Sequence, residues 1–312
     1  MLTQASLYRY PRRADAPVSL RGEQLPPVTA DFEAGLAAYV DFSPEVLADR
    51  LRSRVQVQRS DTDLFAGGHV SENDEDIWAG LSSEAVAERA EQIRLRLPEA
   101  NDRELYARLL ERFRREIVAT GSPLPDDEEA LMQQLDLVMV RRPGLLRSAY
   151  KSMRHAQVVD IDVVLPGELA SALRLDPARR GLYGVFPPDL NPDERAIAEK
   201  LDGDPQVTWW HRNPPKAGVG LYRWDEGQGF YPDFVVCLAG RSGVRIALLE
   251  IKGAHLWGLD SEVDKNHAVH GDYGAVFMAG RRRGDKDFVF LRDLDRRLQS
   301  AGAFGVDRLR FA

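Results

Sequence analysis

The chain has 312 residues, enough for one large domain or two ordinary ones with ample core. Its 44% hydrophobic and 29% charged content is that of a soluble globular protein, and no apolar run approaches the length of a membrane span. A net charge of −7 argues against a uniformly basic chain, and the single cysteine, Cys237, excludes an intrachain disulfide.

The charge is unevenly spread. Residues 1–190 hold 24 Lys/Arg against 31 Asp/Glu and carry the whole excess, whereas residues 191–312 hold 18 of each. Cys237 lies in an apolar run, where an inert buried thiol is expected. The first residues, MLTQASLYRYPRR, lack the apolar core of a signal peptide, and a reducing cytoplasm is the expected compartment.

In chain order, residues 1–30 read as an irregular arm or extended strands, rich in Pro and Arg. Phe32, Leu36 and Tyr39 recur at helix spacing. Ser43-Pro44-Glu45 then starts a second helix through VLADRLRSRV, with serine as N-cap and proline at the first helical position. The acidic stretch HVSENDEDIW (69–78) reads as a loop. Ser83-Glu84 opens a helix with Val86, Ala90, Ile93 and Leu97 on one face, ended by Pro98. Asn101-Asp102 caps another, with Leu105, Leu109, Phe113 and Ile117 on its apolar face. Asp126-Asp127 opens a further helix to about Val140. VVDIDVVLP (158–166) alternates as a strand. The Pro/Gly-rich stretch DPARRGLYGVFPPDLNP follows; it could serve as a linker, but its Leu182, Tyr183, Val185 and Phe186 point to packing, and a domain boundary is expected inside it, giving a mainly helical region 1–180 and a second domain 181–312.

In the second domain Asp193 is a plausible N-cap for ERAIAEKLD. Strands are expected at about 206–212, 218–224, 231–238 and 244–251, then a helix at 260–270 and strands at 274–279 and 287–291, with Asp293 capping a last helix. The segment YPDFVVCLAGRSGVRIALLEIKG contains two apolar, β-branched runs split by the turn residues AGRSG, which describes a β-hairpin. Glu250 and Lys252, two apart on one strand, share a face, and antiparallel pairing can bring Asp233 beside them. Two carboxylates make a hard-oxygen site suited to Mg²⁺, and an adjacent ammonium can handle a water or a phosphate charge. A salt-bridge cluster at a hairpin end would use the same three residues.

The run from Glu194 through Trp210 and Asn213, Tyr231-Pro232-Asp233-Phe234 and Glu250-Ile251-Lys252-Gly253 to Lys265 resembles the PD-(D/E)xK nuclease superfamily. More narrowly, it resembles the C-terminal endonuclease domain of type III restriction enzyme Res subunits and related helicase-linked restriction proteins. The likeness covers about residues 190–280 and does not extend to the first half of the chain. It implies an α/β (α+β) fold, a restriction-endonuclease-like mixed sheet flanked by helices. It also implies a Mg²⁺-dependent DNA endonuclease, with Mn²⁺ as a possible substitute, in restriction or phage defence.

On that resemblance Asp233, Glu250 and the Ile251 carbonyl are expected to hold the metal, and Glu194 a second metal or a metal-bound water. A first-turn Glu favoured by the helix dipole is the plainer reading of Glu194, and Glu199 competes for the role. Lys252 is expected to stabilise the transition state by its charge, because two nearby carboxylates keep it protonated. Lys265, Asn213, Arg212 and Lys216 are expected DNA contacts. His267 and His270, three apart on an expected helix, could share a metal, but solvated histidines are the commoner outcome. No G-x-x-x-x-G-K-[ST] loop is present, so a helicase (ATPase) motor or a methyltransferase subunit is expected on another chain, and a homodimer would supply two active sites. A non-catalytic nucleic-acid-binding or assembly subunit, and a nuclease acting on RNA or branched DNA, are the rival readings.

Overall fold

A computed structural model describes residues 7–51, 59–61, 71–73, 82–97, 99–224, 228–240 and 243–310. They form two compact units, one of residues 27–156 and one that joins residues 1–26 to 157–312. The first twenty-six residues contain β1 (Tyr8–Pro11) and β2 (Ser19–Gln24). Residues 27–156 contain α1 (Phe32–Tyr39), α2 (Pro44–Ala48), the short hairpin β3 (Arg59–Asp61) and β4 (Ser71–Asn73), α3 (Ser83–Arg94), α4 (Asp102–Ala119), α5 (Glu128–Arg141) and α6 (Leu145–Gln157). The remainder forms β5 (Val159–Val164), β6 (Glu168–Ser171), α7 (Pro192–Gly203), β7 (Val207–Arg212), β8 (Phe234–Gly240), β9 (Gly243–Gly253), α8 (Asp260–Lys265), β10 (Val269–His270), β11 (Gly274–Ala275), β12 (Phe277–Arg281), β13 (Val289–Leu294) and β14 (Arg297–Ala303).

The helical unit follows its sequence signals. Ser82, Asn101 and Asp127 each cap the helix that follows by accepting a backbone N–H, as short polar side chains do at that position. Leu105, Leu109, Phe113 and Ile117 of α4 are fully buried against Leu36 of α1, Ala90 of α3 and Leu135 of α5. The expected helix from Ser43 is shorter than its sequence pattern: α2 ends at Ala48, a 3₁₀ turn covers Asp49–Leu51, and residues 52–58 lie outside the described ones. Of the acidic stretch 69–78, residues 71–73 are the strand β4, and the rest lies outside the described residues. Leu146, Ala149 and Met153 bury one face of α6, for which no element was expected.

The other unit is built on a mixed sheet of six strands in the order β14-β13-β12-β9-β8-β7. Only β9 and β12 run parallel; the other neighbours are antiparallel. Both faces are covered, which is why β8 and β9 read as continuous apolar runs rather than alternating ones. Phe234, Val236, Leu238, Ala247 and Leu249 face Ile197, Ala198 and Leu201 of α7. Val235, Cys237 and Leu248 face the other way, into a core that includes Val263 of α8, Val219 and Leu221. There burial pushes the Cys237 thiol up to about 11, so it is an unreactive thiol.

The unit boundary differs from the one expected near residue 181. β1 pairs with β6 and β2 with β5, so the N-terminal arm belongs to the sheet unit. Leu182, Tyr183, Val185 and Phe186 are buried there, so the Pro/Gly-rich stretch is part of a core and not a linker. Three further expectations change. Residues 218–224 make one isolated bridge, Leu221 with Phe230, rather than a strand. The helix expected over 260–270 stops at Lys265. The helix expected after Asp293 is instead strand β14, reached by a tight turn in which Asp295 and Arg296 have φ of 53° and 57°. Two successive left-handed residues match the right-handed twist of a two-residue hairpin, but Asp-Arg lacks the glycine that would announce it.

Candidate active site

The β8–β9 ladder sets the centre of the site. Phe234 pairs with Leu249, so Asp233, one residue before β8, lies beside Glu250. The Asp233 N–H donates to Glu250 Oε2 at 3.1 Å, and the Ile251 N–H donates to Asp233 Oδ2 at 2.8 Å. Residues 241–242, the middle of the expected AGRSG turn, lie outside the described ones, but Gly240 pairs with Gly243 across it. Glu250 and Lys252 share the face of Leu248, the face on which α8 packs. Lys252 Nζ is 2.7 Å from Glu250 Oε1 and also contacts Glu262 Oε2 of α8. Glu262 Oε1 then accepts from Lys265 Nζ at 2.8 Å. The order Glu250, Lys252, Glu262, Lys265 is thus an alternating row of charges, with Lys252 only 4% exposed.

The α7 face contributes the second acid group. Glu194 closes a capping box with Asn191, so its place in the first turn is fixed by backbone hydrogen bonds. Its Oε1 is 2.9 Å from Arg212, whose guanidinium also lies 3.4 Å from Asp233 Oδ1. Arg212 therefore ties Glu194 to Asp233. Glu199, the rival to Glu194, pairs with Arg195 instead.

The charges follow from burial. Burial and then the Glu250 carboxylate push the Asp233 carboxyl up to about 6. Burial raises Glu194 and Glu250 as well. Burial alone would lower Lys252, but Glu250 and Glu262 outweigh it and hold the ammonium above its ordinary value. For Glu262, the bonds from Lys252 and Lys265 outweigh burial and hold the carboxyl below its ordinary value. The site thus has acids short of positive charge on the Asp233 side and a fully charged lysine on the other.

Asp233 and Glu250 are the residues here that could hold a divalent cation, and only as an open site, not a closed cage. Two carboxylates raised by burial would gain from a divalent cation, and Mg²⁺ is commonly held by one or two carboxylates with water and substrate completing its shell. Among the described residues no group of three or more His, Cys, Asp or Glu is arranged to hold a metal alone.

The expected DNA contacts fall in different places. Asn213 is 1% exposed; its Nδ2 donates to the Val219 and Pro232 carbonyls and its Oδ1 accepts from the Val219 N–H. It pins the turn 214–218 against Pro232, so its amide is spent inside the chain. Arg212 is likewise committed to Glu194 and Asp233. Lys265 is paired with Glu262 and lies 5.6 Å from the Phe230 ring centre and 5.8 Å from that of Trp224. Lys216 is exposed in the turn, with a left-handed φ of 63°. His267 pairs with Asp293 at 2.9 Å, whereas His270 is buried and stacks on Tyr273, so the two histidines have separate partners. His211, beside Arg212, stacks edge-on to Tyr183 and is lowered to about 4 by burial.

Glu262 was not among the residues expected at the site, and Arg212 was expected at DNA, whereas the fold sets it between Glu194 and Asp233. The signal for Glu262 was its spacing three before Lys265 on a helix start, but nothing in the sequence shows that α8 packs on Lys252.

Gly218 tests the Asn213 pin. A Cβ there would lie 2.7 Å from Asn213 Cγ. Gly218→Ala is expected to displace the amide and cost about 1–3 kcal/mol, read by urea unfolding. An unchanged midpoint would mean the turn is not held by Asn213.

Among known proteins, no family model, no curated protein and no solved structure matches the chain.

Proposed function

We propose that the sheet unit is a Mg²⁺-dependent endonuclease with a restriction-endonuclease-like core, hydrolysing phosphodiester bonds in DNA. The observation that carries this reading is the convergence of Asp233, Glu250 and Lys252 where β8 begins and β9 ends, with Glu194 joined through Arg212. Asp233 and Glu250 are the residues that would hold the ion. When bound, Mg²⁺ polarises the scissile phosphate and lowers the pKa of water. Lys252 has a role that needs no proton transfer: its ammonium, kept charged by two carboxylates, offsets the negative charge that develops on the phosphate. Glu262 holds that ammonium in place from α8. Arg212 limits the repulsion between Glu194 and Asp233. The proposed setting is restriction or phage defence, with any motor or specificity subunit on another chain.

A second reading has its own support. Each carboxylate already has a partner within the chain, as in a purely structural ion network. In that case the unit binds nucleic acid or a partner without hydrolysis.

Supercoiled plasmid incubated with the chain in Mg²⁺ or Mn²⁺ separates the two. Nicking or linearisation is expected, with loss in EDTA and a fall of about 10²–10³-fold in Asp233→Asn. Duplex DNA retained without cleavage would favour the second reading. Preferential cleavage of RNA or branched DNA would keep the chemistry and change the substrate.

A further inference from the structure

We infer that Arg282, within cation–π range of Trp257, and its neighbour Arg283 form an anion-binding arm that grips a nucleic-acid phosphodiester backbone beside the Asp233, Glu250 and Lys252 cluster. The ligand's identity rests on the proposed function; the placement of the arm does not.

The placement comes from the one parallel pair in the sheet. Gly280 of β12 pairs with Lys252 of β9, and Arg281 with Gly253. The chain therefore leaves β12 at the edge where it leaves β9, just past Lys252. In α/β sheets this carboxyl edge of parallel strands is where ligands are received. Arg281 turns inward, with Nε 2.8 Å from Asp193 Oδ1, next to Glu194. Arg282 and Arg283 are left exposed.

Arg282 is also oriented. Its guanidinium carbon lies 5.9 Å from the Trp257 ring centre, within cation–π range. The Trp257 Nε1–H in turn donates to the Lys252 carbonyl at 3.3 Å. The indole is thus fixed by the backbone of the catalytic strand, and the arginine rides on the indole. Gly280 makes this possible: a Cβ there would collide with the Lys252 carbonyl oxygen and lie 3.2 Å from Trp257 Cζ2. A guanidinium drawn toward an aromatic face by a cation–π contact keeps its N–H fork free for phosphate oxygens. Asp285 and Asp287 share the loop, but Arg282, Arg283 and Lys286 outnumber them. This moves the backbone contact away from Arg212 and Asn213, which the fold uses internally.

The test is binding without cleavage. Fluorescence anisotropy of labelled DNA and RNA duplexes, each two helical turns long, is measured in EDTA over a salt series. The proteins are the full chain, the Arg282→Gln/Arg283→Gln variant and an Arg9→Gln/Arg174→Gln control with the same charge change. The arm variant is expected to give a slope of log affinity against log salt shallower by about 1.8 than wild type, as two lost phosphate contacts require. The control is expected to keep the wild-type slope. Equal slopes for both variants, or no binding by the wild-type chain, would overturn the inference. The DNA and RNA probes show which backbone is held. Arm-dependent binding by a chain that never cuts plasmid would sink the nuclease reading and leave the arm standing. Cleavage with unchanged binding in the arm variant would do the reverse.

Discussion

Lys252→Ala is expected to remove cleavage and to destabilise the sheet unit by about 3–5 kcal/mol, the cost of breaking a buried ion pair from one side. The ammonium is 4% exposed and lies between Glu250 and Glu262, each of which is 8% exposed. Its removal leaves two buried carboxylates with less compensation, Glu250 most of all, because Glu262 keeps Lys265. The second half of the prediction is a coupling. Glu262→Gln removes one of the stranded charges, so the double variant is expected to be more stable than the sum of the singles by about 1–3 kcal/mol. Urea unfolding followed by tryptophan fluorescence reads this, since Trp209 and Trp210 are fully buried in the same unit. Strict additivity, or a Lys252→Ala cost below about 1 kcal/mol, would show that the row of charges is not a working unit.

The second large effect is in the helical unit and depends on pH. Asp136 of α5 is buried, and its Oδ1 lies 3.7 Å from Arg94 Nη1, beyond hydrogen-bond reach. Burial pushes its carboxyl from 3.8 up to about 6, against the pull of Tyr106 and Arg94. The folded state therefore binds this proton more tightly than the unfolded chain does. The stabilisation is complete below about pH 4, the ordinary carboxyl range, and lost as the pH rises through about 6. A shift of that size corresponds to about 3 kcal/mol. Asp136→Asn keeps the shape and removes the titration. The wild-type minus variant stability, measured by urea unfolding from pH 4 to 8, is expected to fall by about that amount. A flat difference would mean that Asp136 is better paired than its 3.7 Å gap to Arg94 indicates.

Much of the helical unit was legible in the sequence. Apolar residues at helix spacing and Ser, Asn and Asp caps are local signals, and α3, α4 and α5 start where those signals lie. The β8–β9 hairpin was legible for a similar reason: apolar β-branched runs around a glycine-containing turn leave few other arrangements. The placement of Asp233 beside Glu250 followed from it. The elements that were missed lacked local signals. Nothing glycine-rich marks the Asp295-Arg296 turn, so β14 was mistaken for a helix. The Pro/Gly-rich stretch 176–192 announced its packing through Leu182, Tyr183, Val185 and Phe186, but the pairing of β1 with β6 and β2 with β5, which moves the unit boundary away from it, is long-range.

The sequence by itself determined that Asp233, Glu250 and Lys252 come together on one hairpin, and most of the local elements, because spacing on one strand or one helix is a short-range property. The tertiary structure alone decided which of those side chains are free to act. α8 brings Glu262 to Lys252, α7 brings Glu194 to Arg212, and the turn 214–218 consumes the Asn213 amide. Each contact joins residues on different elements, and a buried charge must find its partner wherever the packing puts one.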